Sequence, residues 1–150
     1  MAALFAFLHH IAAFALVAAL AVEFVLIRTA PTLENARRIM IADLIFGVAA
    51  GVILVVGLAR VFHFEKGATY YFHTWTFIAK LTLFVLVGLI SIIPTREFLS
   101  WRAAVRQGQA PVVSSERLRS LRTIIHAELA GVTLIILCAA LMAKGIGLMN

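Results

Sequence analysis

The stretch YFHTWTFIAKLTLFVLVGLISII, Tyr71 to Ile93, decides how this chain folds. It exceeds the roughly 20 apolar residues that carry a helix across a hydrocarbon core about 30 Å thick, and its one ammonium is Lys80. About nine residues of helix at roughly 1.5 Å each put that group some 13 Å inside the span, beyond easy reach of water along its own stem. A lysine held at such depth is costly and, as a rule, functional.

Working outward, three more stretches share this character: Ala2 to Ile27, Ile39 to Phe62 and Ile124 to Ala143. A chain of 150 residues that is 63% hydrophobic, with mean hydropathy +1.05, falls outside the ordinary soluble classes. The reading is an all-α polytopic membrane four-helix bundle, one domain over residues 1–150. Helices are expected at about 2–28, 38–62, 71–93 and 122–145, with a cytoplasmic amphipathic connection over about 95–121. The first stretch is read as a span and not a cleaved signal, because no basic residue precedes its apolar run and Glu23 interrupts its far end.

Thirteen Lys and Arg against seven Asp and Glu give a net charge of +6, which in a soluble chain would suggest nucleic acid. The positions of the cations argue otherwise. Arg28, Arg37 and Arg38 flank the first connection, and Arg96, Arg102, Arg106, Arg117, Arg119 and Arg122 populate the third. The opposite side has Arg60, Lys66 and Lys144. The positive-inside bias therefore predicts cytoplasmic connections one and three, with both termini on the outer, periplasmic side. Membrane lipids are the expected partners, anionic ones at the arginine-rich face, and nucleic acid is not. The single cysteine, Cys138, lies in the apolar part of the fourth stretch and cannot form an intrachain disulfide.

Pro94 is expected to stop the third helix and Thr95 to cap a new turn. Phe98, Trp101 and Val105 then recur at helical spacing among arginines, as in an interfacial amphipathic helix. Gly108 and Pro111 break it, and Ser114 or Ser115 ahead of Glu116 opens an extension of the fourth helix. In the second helix, Gly47 and Gly51 are expected to let a neighbour approach closely within the bundle; a homo-oligomeric or larger complex is the alternative.

Helical geometry sorts the polar groups. Glu23 follows His9 at a spacing that leaves the two within about 40° of each other at roughly 100° per residue, whereas His10 lies off that stripe. His9 is therefore the inward candidate of the pair. His73 and Lys80 are expected on one helix face, continued by Val87 and Ser91. With the topology above, His9, His10, Arg60, His63, His73 and Lys80 belong to the outer half, and Glu23, Asp43, His126 and Glu128 to the inner half. Imidazoles beside cations suit a cofactor with a flat apolar body and anionic substituents, and haem meets that description. A solvated or headgroup contact competes for His10, His63 and His73, and bonding to Asp43, His126 or Arg122 that holds the inner half together competes for Glu23 and Glu128. The sequence contains no His-Glu-x-x-His, Cys-x-x-Cys, glycine-rich phosphate loop or serine elbow, which disfavours soluble-type hydrolase or nucleotide chemistry.

Leu8-His9, Ala36-Arg37-Arg38, Ala79-Lys80-Leu81, Trp101-Arg102 and Glu128, in that order, resemble the pattern of the HemJ-type protoporphyrinogen oxidases, small bacterial membrane proteins. The resemblance implies a haem b ligand at His9 and an essential lysine at Lys80. Leu16-Val17-Ala18-Ala19 replaces a tryptophan-and-glycine stretch of that family, and Glu23 stands where it is apolar. Over essentially its whole length the chain looks closer to an uncharacterised bacterial family of four-helix integral membrane proteins, through Leu8-His9-His10, Tyr70-Tyr71-Phe72, Phe77-Ile78-Ala79-Lys80 and Pro94-Thr95. It is also similar to copper-resistance membrane domains, with histidines near helix ends.

Three functions stand as expectations for a protein of the bacterial inner membrane. The first is a haem b membrane oxidoreductase: His9 and His73 are the iron-ligand candidates, and His10, Arg60 and Lys80 stand beside the cofactor. In it Lys80 and Glu128 take part in catalysis, and a tetrapyrrole or a quinone is the exchange partner. The second is an accessory or structural membrane subunit without catalysis. The third is copper binding or metal-ion transport through His9, His10, His63 and His73.

Overall fold

The computed structural model describes residues 1–64 and 67–149. Lys66, one of the outer-side cations, lies outside the described residues. Among the described residues six α-helices follow in order: α1 (Ala2–Leu26), α2 (Leu33–Ala59), α3 (Ala68–Phe72), α4 (Trp75–Ser100), α5 (Arg102–Arg106) and α6 (Ser115–Ala143). A π-helical turn, Arg60–Phe64, extends α2. Four of these elements are long and apolar enough to cross a membrane. The chain is thus a multi-pass membrane protein by its helix lengths and composition.

The spans form a ring in which α1 packs along α2, α2 meets α4, α4 packs along α6, and α6 returns to α1. Successive spans are antiparallel, because the connections between them are short relative to the helices. The two ends of the bundle differ in content. The arginine-rich end holds the fully buried Leu20, Ile27, Ile39, Phe98, Leu121 and Ile125. Large apolar side chains such as Phe7, Phe14, Leu44, Val55, Leu89 and Ile136 point outward, the inverse of a soluble protein and the arrangement lipid requires.

The helix starts follow their sequence signals. The Thr32 hydroxyl accepts from the Asn35 N–H at 3.2 Å and opens α2, earlier than the expected position 38. Ser114 accepts from the Arg117 N–H at 3.2 Å and opens α6. The C-terminus of α1 is closed from a distance: Arg122 donates through Nε to the Ile27 carbonyl at 3.0 Å and through a terminal nitrogen to that of Arg28 at 3.4 Å.

Two expectations about the third span are corrected. Pro94 does not stop it, for α4 runs through to Ser100 with Pro94 buried inside. Surrounding helices support a proline within a span, and burial of Phe98 and Trp101 in the apolar core holds the following turn helical. The segment read as an interfacial helix is therefore docked on the bundle. Trp101 Nε1 and Arg117 Nε both donate to Glu97, at 3.2 and 2.7 Å, and tie the connection back on itself.

The second correction lies at the start of the span. Helicity breaks at Thr74, which is extended and bridges antiparallel to Leu148 of the C-terminal segment. The Trp75 N–H donates to the Gly147 carbonyl at 2.8 Å, and Thr76 Oγ1 to that of Ile146 at 3.0 Å. His73 is thus the C-cap of the short α3, not a residue of the helix that carries Lys80, and the two share no helix face.

Gly47 and Gly51 also depart from the expected packing inside the bundle. Both are exposed, and a Cβ added at either would meet nothing within 4 Å.

Candidate functional site

The fold gathers the polar side chains of the spans into two layers. The first lies toward the termini. His9 of α1 is half-buried, and its Nδ1 is buried with no hydrogen-bond partner. Its ring approaches the Ile53 carbonyl of α2 and stands within electrostatic range of Lys80 and Arg60. The close approach depends on Gly57: a Cβ there would sit 3.2 Å from His9 Cε1. Lys80 of α4 is itself within range of Arg60 and of Cys138 on α6, and its Nζ lies 5.5 Å from the centroid of the Phe77 ring. Arg60 reaches this layer at the junction of α2 and the π-helical turn, a geometry often found at functional positions.

The other histidines of the outer half are exposed. His10 is exposed on α1, with Nδ1 2.6 Å from the Ala6 carbonyl of its own helix. His73 is exposed as well, with Nδ1 2.8 Å from the Thr69 carbonyl. His63 is exposed in the π-helical turn. Among the described residues, no group of three or more His, Cys, Asp or Glu is arranged to hold a metal ion.

The second layer lies toward the arginine-rich end. Glu23 of α1, Asp43 of α2 and Glu128 of α6 are 2%, 8% and 1% exposed. They stand within electrostatic range of one another. Asp43 Oδ1 accepts from the Thr95 hydroxyl of α4 at 2.6 Å, so all four spans contribute. Glu23 and Glu128 each retain an Oε1 that is buried without a partner. Of the partners expected for Glu23 and Glu128, Asp43 lies in this layer, whereas His126 and Arg122 are engaged elsewhere. Arg28 lies 3.0 Å from His126 Nε2 and 3.9 Å from the centroid of the Phe24 ring, and Arg122 holds the α1 carbonyls.

Two contributors carry little sequence signal. Gly57 reads as one small residue among several on α2, and Thr95 reads as a cap because Pro94 precedes it. Only the tertiary arrangement places one against His9 and the other against Asp43.

The family model described as Predicted membrane protein (DUF2214) matches residues 1–147. The chain belongs to that family. No curated protein and no solved structure matches it. For this DUF2214 member, the likeness to HemJ-type oxidases accordingly rests on short motifs alone, whereas membership of a membrane family covers nearly the whole chain.

Proposed function

We propose that this DUF2214 protein is a haem b-binding protein of the bacterial inner membrane, with His9 as the iron ligand contributed by this chain. One observation carries the reading: a buried imidazole nitrogen without a partner, beside two cations from two other spans. The donor set suits the group: His9 offers a ring nitrogen, and Lys80 and Arg60 provide positive charge for carboxylate substituents. Haem bound there supplies one-electron redox chemistry.

The chain's own residues would then divide the work. His9 would hold the group, its ring kept in place by packing against Gly57 of α2. Lys80 and Arg60 orient the anionic edge, and the depth of Lys80 in its span strengthens that attraction by excluding water. The same cations suit an anionic tetrapyrrole substrate, which is where protoporphyrinogen oxidase activity would enter. His73 belongs to this site only if a larger assembly carries it there, since its turn faces outward.

The test is haem content. Protein purified in mild detergent from haem-replete cells should contain haem b by pyridine haemochrome assay, and His9→Ala should lose it while retaining its helical circular dichroism. A colourless wild-type preparation would overturn the reading. Restored growth of a strain lacking protoporphyrinogen oxidase tests the reaction separately from the cofactor. The exposed Gly47 and Gly51 favour a second reading, an accessory subunit that receives a partner helix there.

A further inference from the structure

The layer of acids at the arginine-rich end has a chemistry of its own, independent of what His9 binds. Glu23 and Glu128 come from different spans, are almost wholly buried, and each points an unpartnered oxygen into the protein. Among the described residues, no salt bridge joins either of them, or Asp43, to a cation. Arg122, Arg28 and Arg117 of the same end are engaged with a carbonyl, with His126 and with Glu97 respectively. Three carboxylates within electrostatic range of one another and away from water cannot all be charged without a large cost, which protonation of Glu23 or Glu128 relieves.

A cavity of about 360 Å³ between α2 and α4 reaches Asp43; its walls include the outward-facing Leu44 and Val48, together with Thr95, Phe98 and, toward the arginine-rich end, Arg102. Asp43 is common to the cavity and to the acid layer, and Arg102 carries the cavity toward the arginine-rich end. Of the three acids it alone has a hydroxyl donor, from Thr95, which keeps its carboxyl oriented.

We propose that Glu23 and Glu128 form a proton-binding site inside the membrane, with Asp43 passing protons between that site and the cavity at the arginine-rich end. In uptake, a hydronium ion in the cavity protonates the Asp43 carboxylate and leaves water. Asp43 then gives its proton to the Glu23–Glu128 pair and returns to carboxylate; release reverses both transfers. Asp43 faces Glu23 and Glu128 from α1 and α6 and Thr95 from α4, and Arg102 lines its cavity, so these are the groups that govern its exchange.

Infrared difference spectroscopy of the full-length protein in detergent tests this. The wild type should show a protonated-carboxyl C=O band that shifts in heavy water and is lost reversibly on raising the pH. Glu23→Gln and Glu128→Gln should each abolish or strongly diminish it, and Asp43→Asn should keep the band but slow its exchange with heavy water. A band that persists in the Glu23→Gln, Glu128→Gln double variant, or no such band at any pH in the folded wild type, would overturn the assignment. Should the variants fail to fold, dicyclohexylcarbodiimide, which reacts with protonated carboxyls in apolar surroundings, provides a readout on the unaltered chain. Labelling at Glu23 or Glu128 that declines with rising pH supports the site, and absence of label from both overturns it.

Discussion

At Thr95 a single hydroxyl satisfies a buried aspartate on another span. Replacement by valine keeps the shape and leaves Asp43 without that donor, at an expected cost of about 1–3 kcal/mol. Thr95→Val should therefore unfold measurably earlier than wild type in thermal or denaturant melts in detergent, and Thr95→Ser should stay close to wild type. Equal stability of the valine variant would show that the bond contributes nothing. Residues of this kind set the limit of legibility in the sequence. Lys80, His9 and the three acids stand out because a polar group in an apolar run is conspicuous by itself. The sorting of His9 inward and His10 outward follows from helical angle alone and agrees with their burial. The pairing of His73 with Lys80 fails because angular arithmetic presumes an unbroken helix, and the C-terminal segment interrupts this one at Thr74.

At the scale of the element, hydropathy locates the four spans well because length and apolarity are properties of each segment separately. Interhelical spacing is harder to read, since the same residue type serves opposite purposes. Gly131 of α6 meets Val87 of α4 so closely that any added Cβ would collide with the valine side chain, whereas a Cβ at Gly88 would meet nothing within 4 Å. Gly131→Val should accordingly destabilise the α4–α6 pair by about 1–3 kcal/mol through overpacking, with Gly88→Ala as a tolerated control. Melts in the same detergent compare them, and equal behaviour of the two would contradict the close approach. Gly147 is constrained by its backbone as well as by space: its φ is +113°, and a Cβ would come within 2.8 Å of Thr76 Oγ1. Gly147→Ala should detach the C-terminal segment and speed hydrogen exchange at the Trp75 amide that it holds. Unchanged exchange there would show that the segment tolerates a side chain at this turn.

For the whole molecule, charge asymmetry predicts the orientation in the membrane. Nine arginines flank connections one and three, which should place Gln109 in the cytoplasm and Thr69 outside. Cysteines introduced at these positions in a Cys138→Ser background should label from opposite sides of intact cells with an impermeant maleimide, Thr69→Cys at once and Gln109→Cys only after permeabilisation. The reverse pattern would exchange the two ends of the account. Within the ring of spans, His9 and Arg60 stand in electrostatic range of Lys80, whereas His73 is exposed. The most direct measurement is a reduced-minus-oxidised absorption spectrum of wild type, His9→Ala, Lys80→Met and His73→Ala, purified alike. The account predicts haem b bands in wild type and His73→Ala, weakened or shifted bands in Lys80→Met and none in His9→Ala. Bands that survive in His9→Ala and vanish in His73→Ala would contradict it.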